Sequence, residues 1–231
     1  MDKRALAIPL TLALMTLATS ALLFFSERAT HQRIEAQKRE KLLRSLQTIA
    51  PADRYDNDLL ASAQPIYEPE ALGHREPRTW YRGYRNGRLS LVILPVTTHK
   101  GYAGDIRLLV AIDAASGTII GTKILEHHET PGLGDQIEPQ KSDWLKQFPG
   151  KSLGQPPENR WKVRKDGGEF DQITGATISP RAVTAAIREA LVYAREHLPQ
   201  WRLQKGVETQ SENEHSGDSR TTDKATDNTP K

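Results

Sequence analysis

The sequence predicts an α+β domain, an antiparallel sheet with flanking helices, behind a single N-terminal transmembrane helix. Three observations carry that prediction: a charge-free apolar run from Ala5 to Phe25, two strand pairs joined by short turns, and a long amphipathic helix near the end of the folded part. With 231 residues the chain is long enough for one domain with a real core, or at most two. Lys+Arg 32 against Asp+Glu 29 leaves a formal charge of +3, too small and too mixed in sign for a nucleic-acid partner. The absence of cysteine excludes disulfides, thiol catalysis, thiolate zinc sites, cysteine-ligated iron–sulfur clusters and CxxCH haem attachment.

The apolar run comes first. At about 1.5 Å rise per residue, Ala5 to Phe25 spans roughly the 30 Å hydrocarbon core of a bilayer. Small residues at Ala18, Ser20 and Ala21 invite a cleaved signal peptide instead, but Leu22 to Phe25 continue the apolar run past them, which favours a retained anchor in contact with lipid. Lys3 and Arg4 favour a cytoplasmic N-terminus and place Ser26 onward across the membrane; the basic residues from Arg28 to Arg44 pull the other way. The anchor is assigned to residues 1–28. Residues 29–51 read as a helical stalk, with Ile34, Leu42, Leu43, Leu46 and Ile49 forming a narrow apolar face among charges of both signs. Residues 205–231 carry Glu208, Glu212, Glu214, Asp218, Asp223 and Asp227 with almost no large apolar residue and read as a disordered polar tail. The folded domain is then 52–204.

Within it, Thr79 to Tyr84 and Arg88 to Val96 flank Asn86-Gly87, the dipeptide that most readily takes the positive φ angles of a tight hairpin. Asp105 to Asp113 and Thr118 to Leu125 flank Ala114-Ala115-Ser116-Gly117 in the same way. Short turns with no long helix between them mean antiparallel pairing and argue against a doubly wound parallel sheet. From Pro180 to His197, Val183, Ala186, Ile187, Ala190, Leu191 and Ala194 recur at helical spacing and make one apolar face. Trp144 and Phe148, four apart after Ser142, fit the inward side of a short helix capped by that serine, and Trp80, Trp161 and Trp201 read as core. Adjacent His127 and His128 would point to opposite faces of a strand, so one metal site would not use both.

The segment Asp171-Gln172-Ile173-Thr174-Gly175-Ala176-Thr177-Ile178-Ser179-Pro180 precedes the long helix. Proline favours the first helical position, which predicts Ser179 as N-cap and Pro180 as the first residue inside. Thr177 is then a poor or partial cap, because Pro180 has no N–H to offer it. Its hydroxyl stands beside a helix N-terminus, where free N–H groups and the macrodipole favour an anion such as phosphate. Gly175 and Ala176 keep the approach open. By itself such a turn is also ordinary connection chemistry.

The pattern Asp171-x-x-Thr174-Gly175-Ala176-Thr177 resembles the covalent flavinylation motif of bacterial FMN-binding domains. The order Gly101-Tyr102-x-Gly104-x-Ile106, Gly117-x-Ile119 and Glu129-Thr130-Pro131-Gly132-Leu133-Gly134 is similar to the G-subunit family of Rnf (Rsx) ion-translocating electron transport complexes, related to the C subunit of the sodium-translocating NADH:quinone reductase. The resemblance runs from the anchor to about Trp201. It implies FMN carried as a phosphoester on Thr177 and installed by a separate flavin transferase. By the same resemblance Asp171, Thr174, Gly175 and Ala176 complete the motif, and Glu129, Thr130, Gly132, Leu133 and Gly134 line the flavin pocket. In that pocket the two glycines would let backbone approach the ring, Leu133 would offer an apolar contact, and Glu129 and Thr130 would supply polar contacts at its edge.

A phosphate tether leaves the flavin ring free to exchange electrons while preventing its loss. No Rossmann fingerprint, nicotinamide site or acid–base constellation is evident, so no complete catalytic activity is expected of the chain alone. The resemblance implies an electron-transfer subunit working among other subunits of an inner-membrane complex, with its main domain periplasmic and ion translocation as the work of the whole. The alternative class is a non-redox assembly or flavin-sensing subunit with non-covalent FMN; an autonomous flavin enzyme is a third.

Overall fold

A computed structural model of the protein describes residues 15–17, 19, 20, 37 and 39–204. The expected tail, the expected span apart from residues 15–17, 19 and 20, and residues 29–36 and 38 of the expected stalk lie outside the described residues; among the described residues no helix is long and apolar enough to cross a membrane.

Five strands, β1 (Gln64–Ile66), β2 (Arg78–Arg85), β3 (Arg88–Thr98), β4 (Ile106–Asp113) and β5 (Ile119–Glu126), pair in sequence order and antiparallel throughout. Both expected hairpins are present. The first turns at Asn86 (φ 51°) and Gly87 (φ 70°), both left-handed, which matches the twist of the strands it joins. The sequence reading missed β1, whose three residues are too few for a periodic signal, and the single helical turn α2 (Pro69–Leu72) that follows it. A helix, α1, covers residues 39–47.

Alternation along β3 and β4 sends side chains to two separate cores. Leu94, Val96, Leu108, Val110 and Ile112 meet Val183, Ala186, Ile187 and Ala190 of the long helix α3 (Ile178–Leu203). Leu91, Ile93, Leu109 and Ala111 meet Leu46, Ile49, Ala50 and Leu59 on the other face. With both faces covered, β3 is apolar almost without interruption from Leu91 to Val96. The end of the expected stalk is thus packed onto the sheet, with Leu46 fully buried.

Two boundaries of α3 differ from expectation. The helix starts at Ile178, two residues before Pro180, for a reason that lies in the site below. It also continues past His197 and through Pro199. A proline inside a helix costs about 3 kcal/mol. Burial of Leu198 and Trp201, the latter with its ring 4.7 Å from that of Trp80, offsets the lost hydrogen bond.

Between β5 and α3 the chain runs in 3-10 turns and loops rather than regular helices. The expected short helix at Trp144 is one such turn, Trp144–Gln147, with the Ser142 hydroxyl accepting the Trp144 N–H at 3.1 Å. Phe148, Trp161 and Phe170 stack beneath it, with ring centroids of Phe148 and Trp161 4.9 Å and 4.6 Å from that of Phe170. This aromatic core supports the segment that leads into α3. All four tryptophans are buried.

Candidate functional site

A cavity of about 300 Å³ opens at the N-terminus of α3, lined by Tyr102, Glu129, Thr130, Leu133, Gly134, Gly175, Ala176, Thr177, Ile178 and Ser179. The fold brings three distant stretches together here: the loop after β3, the loop after β5, and the turn into α3. Tyr102, Leu133 and Ile178 are exposed, so the mouth carries an apolar rim.

The walls are joined by Glu129, whose side chain is buried. One carboxylate oxygen, Oε1, accepts the Ala103 N–H at 3.1 Å; the other accepts the Tyr102 N–H at 3.3 Å and a short bond from the Ser179 hydroxyl. The carboxylate fits because glycines surround it. A Cβ on Gly101 would lie 2.8 Å from Oε1, and one on Gly134 would lie 2.8 Å from Oε2 and 2.7 Å from Ser179 Oγ. The absence of a side chain at Gly134 is therefore required by Glu129 and Ser179 rather than by a ring. Glu129 itself, expected at the edge of a bound ring, spends both oxygens inside the protein.

Ser179, expected to cap the helix, instead occupies its first turn and donates to Glu129, while Thr177 takes the N-cap position (φ −82°, ψ −25°). Hydrogen bonds to a charged group contribute about 1.5–3 kcal/mol, against about 1 kcal/mol for an ordinary serine cap, so the carboxylate wins the hydroxyl. Thr177 makes no side-chain cap bond, and its hydroxyl has no hydrogen-bond partner among the described residues. Pro180, now the third residue inside the helix, still costs nothing there because the first-turn N–H groups lack intrahelical acceptors.

The remaining expected residues divide. Thr130, Leu133, Gly134, Gly175 and Ala176 line the cavity with Glu129 and Thr177; Asp171, Thr174 and Gly132 do not. Asp171 is exposed, pairs with Arg164 at 2.8 Å, and donates its N–H to Gln147 Oε1 at 2.7 Å. Thr174 is exposed, and Gly132 takes φ 78° in the loop with no heavy atom near a would-be Cβ. Gly175 (φ 81°) forms the turn before the helix. Ile178 and Ser179 were not expected in the lining, and Tyr102 was visible only as part of the Gly101-Tyr102-x-Gly104 pattern.

Of the two histidines beside the loop, His127 is held by hydrogen bonds within the protein. His127 Nδ1 accepts the Glu129 N–H at 3.0 Å, which puts its proton on Nε2, 2.7 Å from Glu138 Oε1. His128 is exposed. Among the described residues no group of three His, Asp or Glu side chains is placed to hold a metal ion.

Residues 101–192, which contain every cavity-lining residue, match the family model described as FMN-binding domain. A relative from Vibrio vulnificus, named as the G subunit of the ion-translocating oxidoreductase complex, is 40% identical over 83% of this chain and 90% of its own length. A Pseudomonas aeruginosa relative of the same name is 44% identical over 80% and 86% respectively. The chain belongs to the G-subunit family of the ion-translocating oxidoreductase complex. The crystal structure of Shewanella oneidensis NqrC is similar with a TM-score of 0.43 and 25% identity, covering 63% of this chain and 75% of that one. Identity with the Vibrio and Pseudomonas relatives extends well beyond the FMN-binding match, so membership in the G-subunit family rests on most of the chain.

Proposed function

We propose that this protein is a membrane-anchored electron-transfer subunit of an ion-translocating oxidoreductase complex, carrying FMN as a phosphoester on Thr177. The observation that carries the reading is the Thr177 hydroxyl, unengaged at the N-terminus of a 26-residue helix and on the wall of a cavity with an apolar rim. Family membership and the FMN-binding match supply the cofactor and the setting.

The residues present fit such a group. The N–H groups of Ile178 and Ser179, without intrahelical acceptors, and the helix macrodipole favour a phosphate held at Thr177. Tyr102, Leu133 and Ile178 offer apolar surface beside it. When bound, FMN supplies one- and two-electron redox chemistry. The protein's part is to hold and orient it: Thr177 prevents its loss, and the Glu129-centred walls keep the cavity in shape. Asp171 and Thr174, turned away from the cavity, serve the motif from outside, where a flavin transferase would meet them.

In this reading Ala5 to Phe25 anchors the chain in the bacterial inner membrane with its N-terminus cytoplasmic. Residues 29–51 link anchor to domain, residues 52–204 form the periplasmic FMN-binding domain, and 205–231 form a polar tail. Other subunits of the complex supply and accept the electrons.

The test is the intact mass of the protein co-expressed with its flavin transferase, followed by peptide mapping. A gain equal to FMN less one water, located on Thr177, is expected. No adduct, or one on Thr174, overturns the attachment. Within the complex, a Thr177→Ala subunit should assemble without restoring electron transfer; unchanged transfer would favour a non-redox assembly role.

A further inference from the structure

We infer that Glu129 is a positioning residue that sets where α3 begins, and through it the place of Thr177. The inference rests on the reading of Thr177 as the attachment residue. The sequence Ser179-Pro180 is a strong local signal for a helix starting at Pro180 with Ser179 as cap. In the structure that signal is overridden, and α3 starts at Ile178. The local difference is the engagement of the Ser179 hydroxyl by a buried carboxylate from a loop 50 residues earlier in the chain.

The carboxylate is itself held in place. Its oxygens take the Tyr102 and Ala103 N–H groups, and the bare backbones of Gly101 and Gly134 pack against it. A socket built from two loops therefore withholds Ser179 from capping. Were Ser179 released, it would cap the helix, Ile178 would leave the helical conformation, and Thr177 would lose the N-cap position beside the cavity and its free N–H groups.

Glu129 is thus distinguished from a residue that only stabilises the domain: its loss is repaired by removing the competing cap. The experiment uses the full-length protein in detergent with isotope labelling, reading backbone carbon chemical shifts at Ile178 and Ser179 and, separately, the fraction of Thr177 adduct formed in a fixed time with the flavin transferase. In Glu129→Gln, shifts at both positions should move from helical to extended and adduct formation should fall by about tenfold or more, as expected when a reacting group is displaced by about 1 Å. The double variant Glu129→Gln with Ser179→Ala should regain helical shifts at Ile178 and form more adduct than Glu129→Gln alone.

Glu129→Asp repeats the test with the charge retained but the carboxylate drawn back from Ser179. Ser179→Ala alone, which has neither bond nor competing cap, should keep Ile178 helical. Helical shifts at Ile178 in both Glu129 variants overturn the inference, as does loss of helical shifts in Ser179→Ala or a double variant no better than the single one. A wild-type chain that acquires no adduct overturns the attachment reading instead, while the chemical shifts still decide the role of Glu129 in the helix start.

Discussion

The indole N–H of Trp144 donates to the main-chain carbonyl of Asp171 at 2.6 Å. This bond fastens the first residue of the flavinylation-like motif to the aromatic core, while the Asp171 side chain stays at the surface. The motif is therefore held at one end by Trp144 and at the other by the Glu129–Ser179 bond.

Replacing Trp144 by Phe leaves the Asp171 carbonyl without its donor and opens space beside Phe148. The expected loss is about 1–3 kcal/mol. Urea denaturation should show a lower midpoint with an unchanged slope.

Thr177→Ala should behave differently from an ordinary N-cap deletion. Because the hydroxyl makes no cap bond, the change in stability should stay within about 0.5 kcal/mol. A thermal melt of the flavin-free protein checks this; a loss of about 1 kcal/mol or more would mean that Thr177 caps the helix after all.

Two glycines of one loop should respond for different reasons. Gly134→Ala puts a methyl group against Glu129 and Ser179 and should cost about 1–3 kcal/mol, shifting the helix-start signals as well. Gly132→Ala meets open space but must keep φ 78°, costing about 1 kcal/mol and leaving the start of α3 unchanged. Paired denaturation curves and chemical shifts separate the two.

His74 supplies a pH dependence. It is buried, its Nδ1 accepts the Glu68 N–H at 3.2 Å, and its Nε2 donates to the Pro95 carbonyl at 2.9 Å. Burial pushes its pKa below the ordinary 6.5, with the Pro95 bond only partly opposing. The folded state then binds this proton less readily than the unfolded chain, so stability is full above about 6.5 and is lost as pH falls through the lowered value. His74→Gln should lose less stability than the wild type between neutral pH and pH 5 in denaturation measurements; equal losses would remove His74 from the account.

Asp105 acts lower on the scale. Its hydrogen bond from His99 Nδ1, at 2.7 Å, holds its carboxyl below the usual 3.8. Its contribution is present above that ordinary value and is lost as pH falls through the depressed one. In an Asp105→Asn chain the acid limb of the stability curve should be shallower below about pH 4.

Much of this molecule was legible locally. Asn86-Gly87 specified a hairpin because few dipeptides tolerate two left-handed residues, and the spacing of Val183, Ala186, Ile187 and Ala190 specified the buried face of α3. The order of the glycine-containing motifs identified the family. Three features depended on residues far apart in the chain: the passage of α3 through Pro199, the packing of Leu46 and Ile49 onto the sheet, and the start of α3. Local propensity at Ser179-Pro180 favours one helix start, and a buried carboxylate at Glu129 imposes another, because a charge-assisted hydrogen bond out of water outweighs a neutral cap. The sequence by itself determined the family, the hairpins and the residue types around Thr177; only tertiary contact decided which hydroxyl was engaged at the helix start and which was left free.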